Sequence, residues 1–380
     1  MKTTNLFPFK QYIPLGILLL LNLGCEREIS ELEPATFPAN PEVFIDGFSA
    51  GLNYAAFGGS SPTAFEVDKD VTYDNTEAAM RFEVPDANDP EGAYAGGVFY
   101  TSMGRDLSGY DALSFYAKAS KAATIDLLGF GNDLGESEYQ VSVSGLQVNT
   151  NWKRFILPIP DPSKLTVEKG MFFYSEGPEA GRGYTFWIDE MKFEKLGTLA
   201  HPSAAILNGE DQTESLFTGV SRKIDGLLYI ANLPNGVNMA VNITPAYLSF
   251  LSSDESIATV DESGNVSAAD EGNAVITAML NDIEADGSLT IQSRGLFQHA
   301  PTPQQPAGDV ISVFSEAYPN VPVDYYNGYW EPYQTTQSAD FTVNGDNVLN
   351  YTNFNFVGIQ FSSPTIDAST MTHIHLDIFI

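Results

Sequence analysis

The acidic side chains near residue 190 are the nearest approach in this sequence to a pair of catalytic carboxylates. Hydrolysis of a glycosidic bond with retention needs two carboxyl groups about 5–5.5 Å apart. Asp189 and Glu190 are neighbours on a predicted strand, so their side chains point to opposite faces. The sequence also contains no Gly-x-Ser-x-Gly motif, phosphate-binding loop or dinucleotide fingerprint. We therefore identify no catalytic site in residues 1–380.

Aromatic residues outside the obvious strand cores could bind a sugar. Flat rings stack on the apolar faces of pyranoses, while amide and carboxylate groups bind the hydroxyls. The candidates in the N-terminal half are Tyr54, Phe57, Tyr94 and Tyr139, together with Asn132 and Asp133. Each could instead serve core or loop packing. Trp152 and Trp187 lie within strand motifs, and we interpret both as core residues.

The densest aromatic cluster covers residues 324–333. Its candidate sugar-binding residues are Tyr326, Tyr329 and Trp330, of which Trp330 is the best single candidate. The alternative is that these rings belong to an incomplete core.

Short alternating runs over residues 38–197 predict a first module of about nine strands. They cover residues 43–45, 79–84, 97–100, 113–117, 125–129, 139–143, 154–159, 171–174 and 184–188. This number of short strands suits a jelly-roll β-sandwich of two sheets. Pro158 and Pro160 predict either that the strand at 154–159 lies at an edge of its sheet or that the strand ends there.

Three segments of this module, at 106–115, 151–155 and 186–193, resemble the galactose-binding-like jelly rolls of carbohydrate-binding modules. The resemblance implies a structural calcium, held by an acid near the first strand and another near the last. Asp46 and Asp189 occupy those places. Since calcium takes six to eight oxygens, solvated acids at strand ends are an equal alternative.

Residues 203–293 form a second module of about 90 residues. The apolar residues Ile257 and Val260 lead to a turn at Gly264, and a second turn at Gly272 precedes Val275. This succession of hairpins strongly resembles the bacterial immunoglobulin-like (Ig-like) group 2 domain. The resemblance implies an Ig-like β-sandwich that acts as a spacer or an adhesive module.

A Pro- and Gln-rich linker at 297–308 separates this module from residues 309–380. Residues 97–119 align without a gap on residues 358–380, which indicates a repeat of the first module. The alignment stops at a predicted central strand, 373–380. We therefore expect a second, truncated jelly-roll β-sandwich and a chain that is a fragment of a longer protein.

The first 24 residues have the pattern of an export signal, with Lys2 and Lys10 before an apolar run that is too short to span a membrane. The only cysteine, Cys25, follows directly. The segment resembles a bacterial lipoprotein signal, although Asn22 departs from its usual pattern. The resemblance implies cleavage before Cys25 and lipidation of that residue. Residues 25–37 read as an acidic tether.

The formal net charge is −31. Loss of Lys2 and Lys10 with the signal leaves 16 basic and 49 acidic residues, a net charge of −33. Such a chain repels nucleic acid and anionic lipid, so the lipid on Cys25 is the expected membrane contact. A lone cysteine also excludes a disulfide scaffold.

This module order resembles the N-terminal part of Bacteroidetes polysaccharide-utilisation lipoproteins. The resemblance implies an all-β protein, anchored in the outer membrane and facing the cell surface or, alternatively, the periplasm. It implies a polysaccharide partner, with a β-glucan such as laminarin favoured, and contact with outer-membrane glycan-uptake proteins. Two alternatives stay open: the non-catalytic part of a glycoside hydrolase family 16 endo-β-1,3-glucanase, or a structural or adhesive protein.

Overall fold

The computed structural model describes residues 36–328, 330–363 and 365–379. Within these ranges the chain forms β-strands and short 3-10 turns, and no α-helix. None of the helical turns there is long and apolar enough to cross a membrane. The predicted all-β class is confirmed. The predicted export signal, Cys25 and nearly all of the tether lie outside the described residues.

Two sheets make the first module. Its strands are β1 (Glu42–Phe44), β2 (Leu52–Ala56), β3 (Phe65–Asp68), β4 (Ala79–Val84), β5 (Ala95–Arg105), β6 (Ala112–Ala119), β7 (Ala123–Phe130), β8 (Val141–Val148), β9 (Lys153–Pro158), β10 (Glu168–Glu176) and β11 (Tyr184–Glu194). Sheet I has the order β3-β4-β11-β6-β9, with β1 on β11, and sheet II contains β2-β5-β10-β7-β8.

The core between the sheets is aromatic. Phe82 of sheet I stacks on Phe186 with a centroid distance of 4.7 Å and meets the ring of Tyr174 in sheet II at 4.4 Å. All three residues are fully buried. Because side chains alternate along a strand, their sequence neighbours face away from this core.

Every predicted strand of the first module overlaps an observed one, and β4 has the predicted bounds. The prediction missed β2 and β3, which are edge strands with little apolar alternation. Edge strands are short and partly wet, so their sequences carry a weak signal. Pro158 ends β9 at the opposite edge of sheet I, as predicted.

The second module is built from shorter strands. They are β12 (Ala200–Ala205), β13 (Asp211–Leu216), β14 (Ser221–Lys223), β15 (Leu228–Asn232), β16 (Asn238–Ile243), β17 (Ser249–Ser252), β18 (Ala258–Val260), β19 (Asn265–Ala268), β20 (Gly272–Leu280), β21 (Ile283–Glu284) and β22 (Ser288–Ser293). The turn glycines Gly264 and Gly272 both have positive φ, at 76° and 147°. The predicted hairpin at Gly264 is present, since β18 pairs with β19. The turn before Gly272 is not a hairpin, because it leads from β19 to β20 in a different sheet.

Sheet II continues into the second module, which the sequence did not indicate. Its β8 edge pairs with β16, with Ser142 opposite Asn242, and the sheet runs on through β15 to β12. The hydroxyl of Tyr247, a residue only 3% exposed, donates to the backbone oxygen of Tyr139 at 3.0 Å. The two modules thus share one sheet and a packed joint, rather than meeting through a free linker.

Beyond the linker, the strands are β23 (Gln337–Val343) and β24 (Asp346–Thr352), which form one hairpin. The alignment predicted strands over residues 358–380, but the described part of that segment forms none. Ile374 and Leu376 are 87% and 69% exposed. Gln360 forms an isolated bridge with Tyr325, but no described segment pairs with residues 373–379, and a strand needs a partner for its backbone groups. The second jelly roll stays a prediction.

Candidate functional site

The outward face of sheet I carries a group of aromatic side chains. Trp187 lies between the buried Phe186 and Ile188, and Tyr116 between the buried Phe115 and Ala117. Strand alternation therefore turns both rings away from the core. Both are partly exposed.

Lys118 lies at the centre of this group. It stands opposite Trp187 in the β6–β11 pairing. Its Nζ lies 5.8 Å from the centroid of the Trp187 ring and 5.9 Å from that of Trp152. Both distances are within the range of cation–π attraction. The ammonium group therefore joins the two indoles into one surface.

A second pair of rings extends the surface. Tyr73 and Tyr116 stack with a centroid distance of 3.7 Å and an interplanar angle of 16°. Trp152 meets Tyr73 edge-on at 5.9 Å. We call the set Tyr73, Tyr116, Lys118, Trp152 and Trp187 the aromatic face.

Hydrogen-bonding groups hold the indole of Trp187 in place and border the aromatic face. Trp187 Nε1 donates to Asp68 Oδ2 at 2.8 Å. Partial burial opposes ionisation of Asp68, but the bond from Trp187 and two backbone N–H bonds outweigh it and lower the pKa of that carboxyl. Arg81 stands opposite Trp187 on β4 and pairs with Glu66 and Glu83. The face thus combines flat apolar rings with a charged border.

The prediction that Trp152 and Trp187 are core residues is wrong, because both side chains are partly exposed. Trp187 is on the outward face of β11, and Trp152 precedes β9 with its ring beside Lys118. The signal that could have found them is the alternation itself. In Phe186-Trp187-Ile188 the two flanking residues fill the core, which leaves the middle one outside.

Two predicted residues, Phe57 and Tyr94, come together on sheet II. Their rings occupy the space where a side chain at Gly96 would stand. The Tyr94 hydroxyl donates to the backbone oxygen of Gly58 at 3.1 Å. Tyr54 is 37% exposed, with its ring packed on Phe99 at 4.9 Å and its hydroxyl 2.9 Å from that of Tyr174.

The other predicted residues of the first module lie near one cavity of about 310 Å³. Asp133 and Tyr139 line this cavity, and the backbone of Asn132 lies against Gly170 beside it. Asp133 Oδ1 already accepts the N–H groups of Gly135 and Ser137, at 2.8 and 3.0 Å. The cavity is polar and separate from the aromatic face.

Asp46 and Asp189 both bind one loop, at residues 73–77. Asp189 Oδ2 accepts the Tyr73 N–H at 2.8 Å and the Thr76 hydroxyl at 2.7 Å, and Asp46 Oδ1 accepts the Glu77 N–H at 2.5 Å. A carboxylate oxygen that accepts one hydrogen bond keeps a second lone pair, so these bonds leave room for a cation ligand. Among the described residues, no three His, Cys, Asp or Glu side chains are grouped to hold a metal. Calcium also takes backbone carbonyl and water oxygens, so the site at Asp46 and Asp189 stays a prediction.

The predicted residues beyond the linker are only partly described, since Tyr329 lies outside the described residues. The Trp330 ring packs on Phe356 at 5.9 Å and lies against Gly358. The Tyr326 hydroxyl donates to the backbone oxygen of Val313 at 3.1 Å. These two rings serve local packing, and Trp330 still has 43% of its surface exposed.

The family profile of the bacterial Ig-like domain (group 2) matches residues 239–291. The second module therefore contains this domain, as its turn pattern predicted. No curated protein matches the chain.

Solved structures similar to the chain include carbohydrate-binding modules. A family 11 module from Clostridium thermocellum, in complex with a β-1,3-1,4-mixed-linked tetrasaccharide, is 15% identical, with a TM-score of 0.28 over 43% of this chain and 98% of that one. A family 30 module of a cellulosomal cellulase of the same organism is 19% identical, with a TM-score of 0.28 over 42% and 95%. A β-1,2-glucanase from Parabacteroides distasonis is 10% identical, with a TM-score of 0.28 over 68% of this chain and 39% of that one.

Proposed function

We propose that the protein binds polysaccharide on the aromatic face of its first module. The observation that carries the proposal is the row formed by Trp187, Lys118 and Trp152, continued by the stacked Tyr73 and Tyr116. Indole and phenol rings offer broad apolar surfaces that match the C–H faces of sugar rings. Rings placed along a sheet suit a polymer rather than a single small molecule.

Electrostatics support a neutral ligand. A net charge of −31 repels anionic polymers, whereas an uncharged glycan meets no such barrier. The charges bordering the face are already paired, as in Arg81 with Glu66 and Glu83. Lys118 and the paired side chains can still bond hydroxyl groups at the edge of a bound chain. A β-glucan such as laminarin is the polymer we favour.

We further propose that the protein reaches its polymer from a lipid anchor on Cys25, at the outer face of the outer membrane. The joint between the modules supports a presentation role for the Ig-like domain. Because β8 and β16 share one sheet, that domain fixes the orientation of the first module.

Affinity electrophoresis of the full chain tests the proposal. Native gels would contain laminarin, mixed-linkage β-glucan, hydroxyethylcellulose, galactan or dextran, one polymer in each. We expect retardation in at least one β-glucan gel, and its loss in Trp187→Ala. Phe354→Ala is the matched control, because Phe354 is an exposed ring, 63% accessible, outside the face. Unretarded migration in every gel would refute the proposal, as would equal retardation of Trp187→Ala and the unmodified protein.

A further inference from the structure

A polar cavity lies at the end of the first module that adjoins the Ig-like domain. Its volume is about 310 Å³, and its lining includes Asp133, Glu138, Tyr139, Lys164, Glu168 and Lys169. The loop after β7 and the start of β10 form its walls, and they are joined by the bond from Gly131 N–H to the Gly170 oxygen, at 2.8 Å. Ligand sites start at about 300 Å³, so the space suits a small molecule or the end of a chain.

Glu168 is the unusual residue in this lining. It is a carboxyl group with only 7% of its surface exposed. Its Oε1 accepts the N–H groups of Lys169 and Gly170 at 2.9 and 2.7 Å. Its Oε2 accepts no hydrogen bond from any described residue. Oε2 can therefore accept a hydrogen bond from a ligand in the cavity.

The second module supports one wall of the cavity. The ring of Tyr247, in the Ig-like domain, meets that of Tyr139 at 5.4 Å and an angle of 64°. Thr244 Oγ1 donates to the backbone oxygen of Glu138 at 2.5 Å. The lining residues Glu138 and Tyr139 are thus fixed by contacts across the joint, which makes the cavity a property of the paired modules.

The cavity is lined by both acidic and basic side chains, which disfavours a charged ligand of either sign. Asp133, Glu138 and Glu168 disfavour an anion, while Lys164 and Lys169 disfavour a cation, and no described acid or histidine cluster could ligate a metal. A neutral molecule with several hydroxyl groups satisfies acceptors and ammonium donors together.

We propose that this cavity is a second ligand site, which takes the hydroxyl-rich end of a neutral oligosaccharide and binds one of its hydroxyls at Glu168 Oε2. The site is separate from the aromatic face and would act on chain ends, whereas the face would act along a polymer. Two linked sites on one rigid pair of modules gain avidity for a single polymer chain.

Titration of the full chain with laminaritriose, cellotriose and galactotriose tests the site, by calorimetry and by saturation-transfer NMR. We expect one of these trisaccharides to bind, and Glu168→Gln to weaken it about 10-fold or more, because the amide presents a donor where an acceptor is needed. Glu176→Gln is the matched control. It also removes a buried carboxyl, but both oxygens of Glu176 are bonded, to Tyr184 and to the N–H of Asp126.

Trp187→Ala separates this proposal from the proposed function. Retained trisaccharide binding in that variant, with loss in Glu168→Gln, supports the cavity even if no polymer is retarded in gels. Binding lost in Trp187→Ala but normal in Glu168→Gln would place the trisaccharide on the aromatic face and overturn the cavity site. Absence of binding by all three trisaccharides would also overturn it.

Discussion

The carboxyl group of Glu176 should make the protein less stable as the pH rises from 5 to 8. Glu176 is 1% exposed, with Oε1 bonded to the Tyr184 hydroxyl at 2.8 Å and Oε2 to the N–H of Asp126. Burial is the largest influence and raises the pKa of Glu176 to about 7, although these two bonds lower it. Nearby Asp126 and Glu179 raise it further.

The sign follows from the two states. In the unfolded chain the group has its ordinary pKa of 4.5, and in the folded protein about 7. The contribution of the Glu176 carboxyl to the free energy of unfolding is complete below about pH 4.5. It falls above that pH, because the unfolded state loses its proton first, and it is gone above about pH 7. At 1.36 kcal/mol per pKa unit, the loss is about 3 kcal/mol. Groups with a lowered pKa, such as Asp261 at about 2, change only below this window.

Urea unfolding of the unmodified protein and of Glu176→Gln at pH 5, 6, 7 and 8 measures the effect. The free energy of unfolding of the unmodified protein should fall with pH, and Glu176→Gln should remove about 3 kcal/mol of that fall. Glu91→Gln, at an exposed acid, is the control for the change in net charge and should keep the full slope. Equal slopes in all three proteins would refute the reasoning.

Three further predictions concern the joint, the metal and the anchor. Tyr247→Ala should lower the free energy of unfolding, measured by urea titration, by about 3 kcal/mol, because it removes a packed ring between the modules. Tyr333→Ala is the control and should lower it little, because that ring is 78% exposed. If Asp46 and Asp189 hold a calcium ion, a chelator should lower the melting midpoint by several degrees, and an unchanged midpoint would exclude that site. Cys25→Ala should abolish labelling of the protein by a clickable palmitate in cells, and continued labelling would exclude the anchor.

Most of the strands and turns of the first two modules could be predicted from the sequence. Buried strands such as β4 and β11 alternate strongly, and Gly264 marks the β18–β19 hairpin, where the turn requires positive φ. These signals are local, so one sequence suffices to find them. The edge strands β2 and β3 were not predicted, because partial exposure weakens the alternation of apolar and polar residues along them.

The site was harder to predict, because it depends on which face of a strand is outward and on what lies across the sheet. Phe57 and Tyr94 are 37 positions apart and meet only through the fold at Gly96. The prediction that Trp187 is a core residue rests on its place within a strand motif, but the burial of its two neighbours is what turns its side chain outward. The joint between β8 and β16 had no local signal, as pairing of two strand edges needs complementary backbones more than particular side chains.

The most direct test of the central claim is calorimetric titration of the polysaccharide retarded most strongly in gels. It compares the unmodified chain, the double variant Tyr116→Ala/Trp187→Ala, and Phe354→Ala. Stacking contributes about 0.5–1.5 kcal/mol per ring, so the double variant should lose between about 5- and 150-fold in affinity. Phe354→Ala should bind like the unmodified protein. An unchanged affinity in the double variant, with its fold intact by circular dichroism, would contradict binding at the aromatic face.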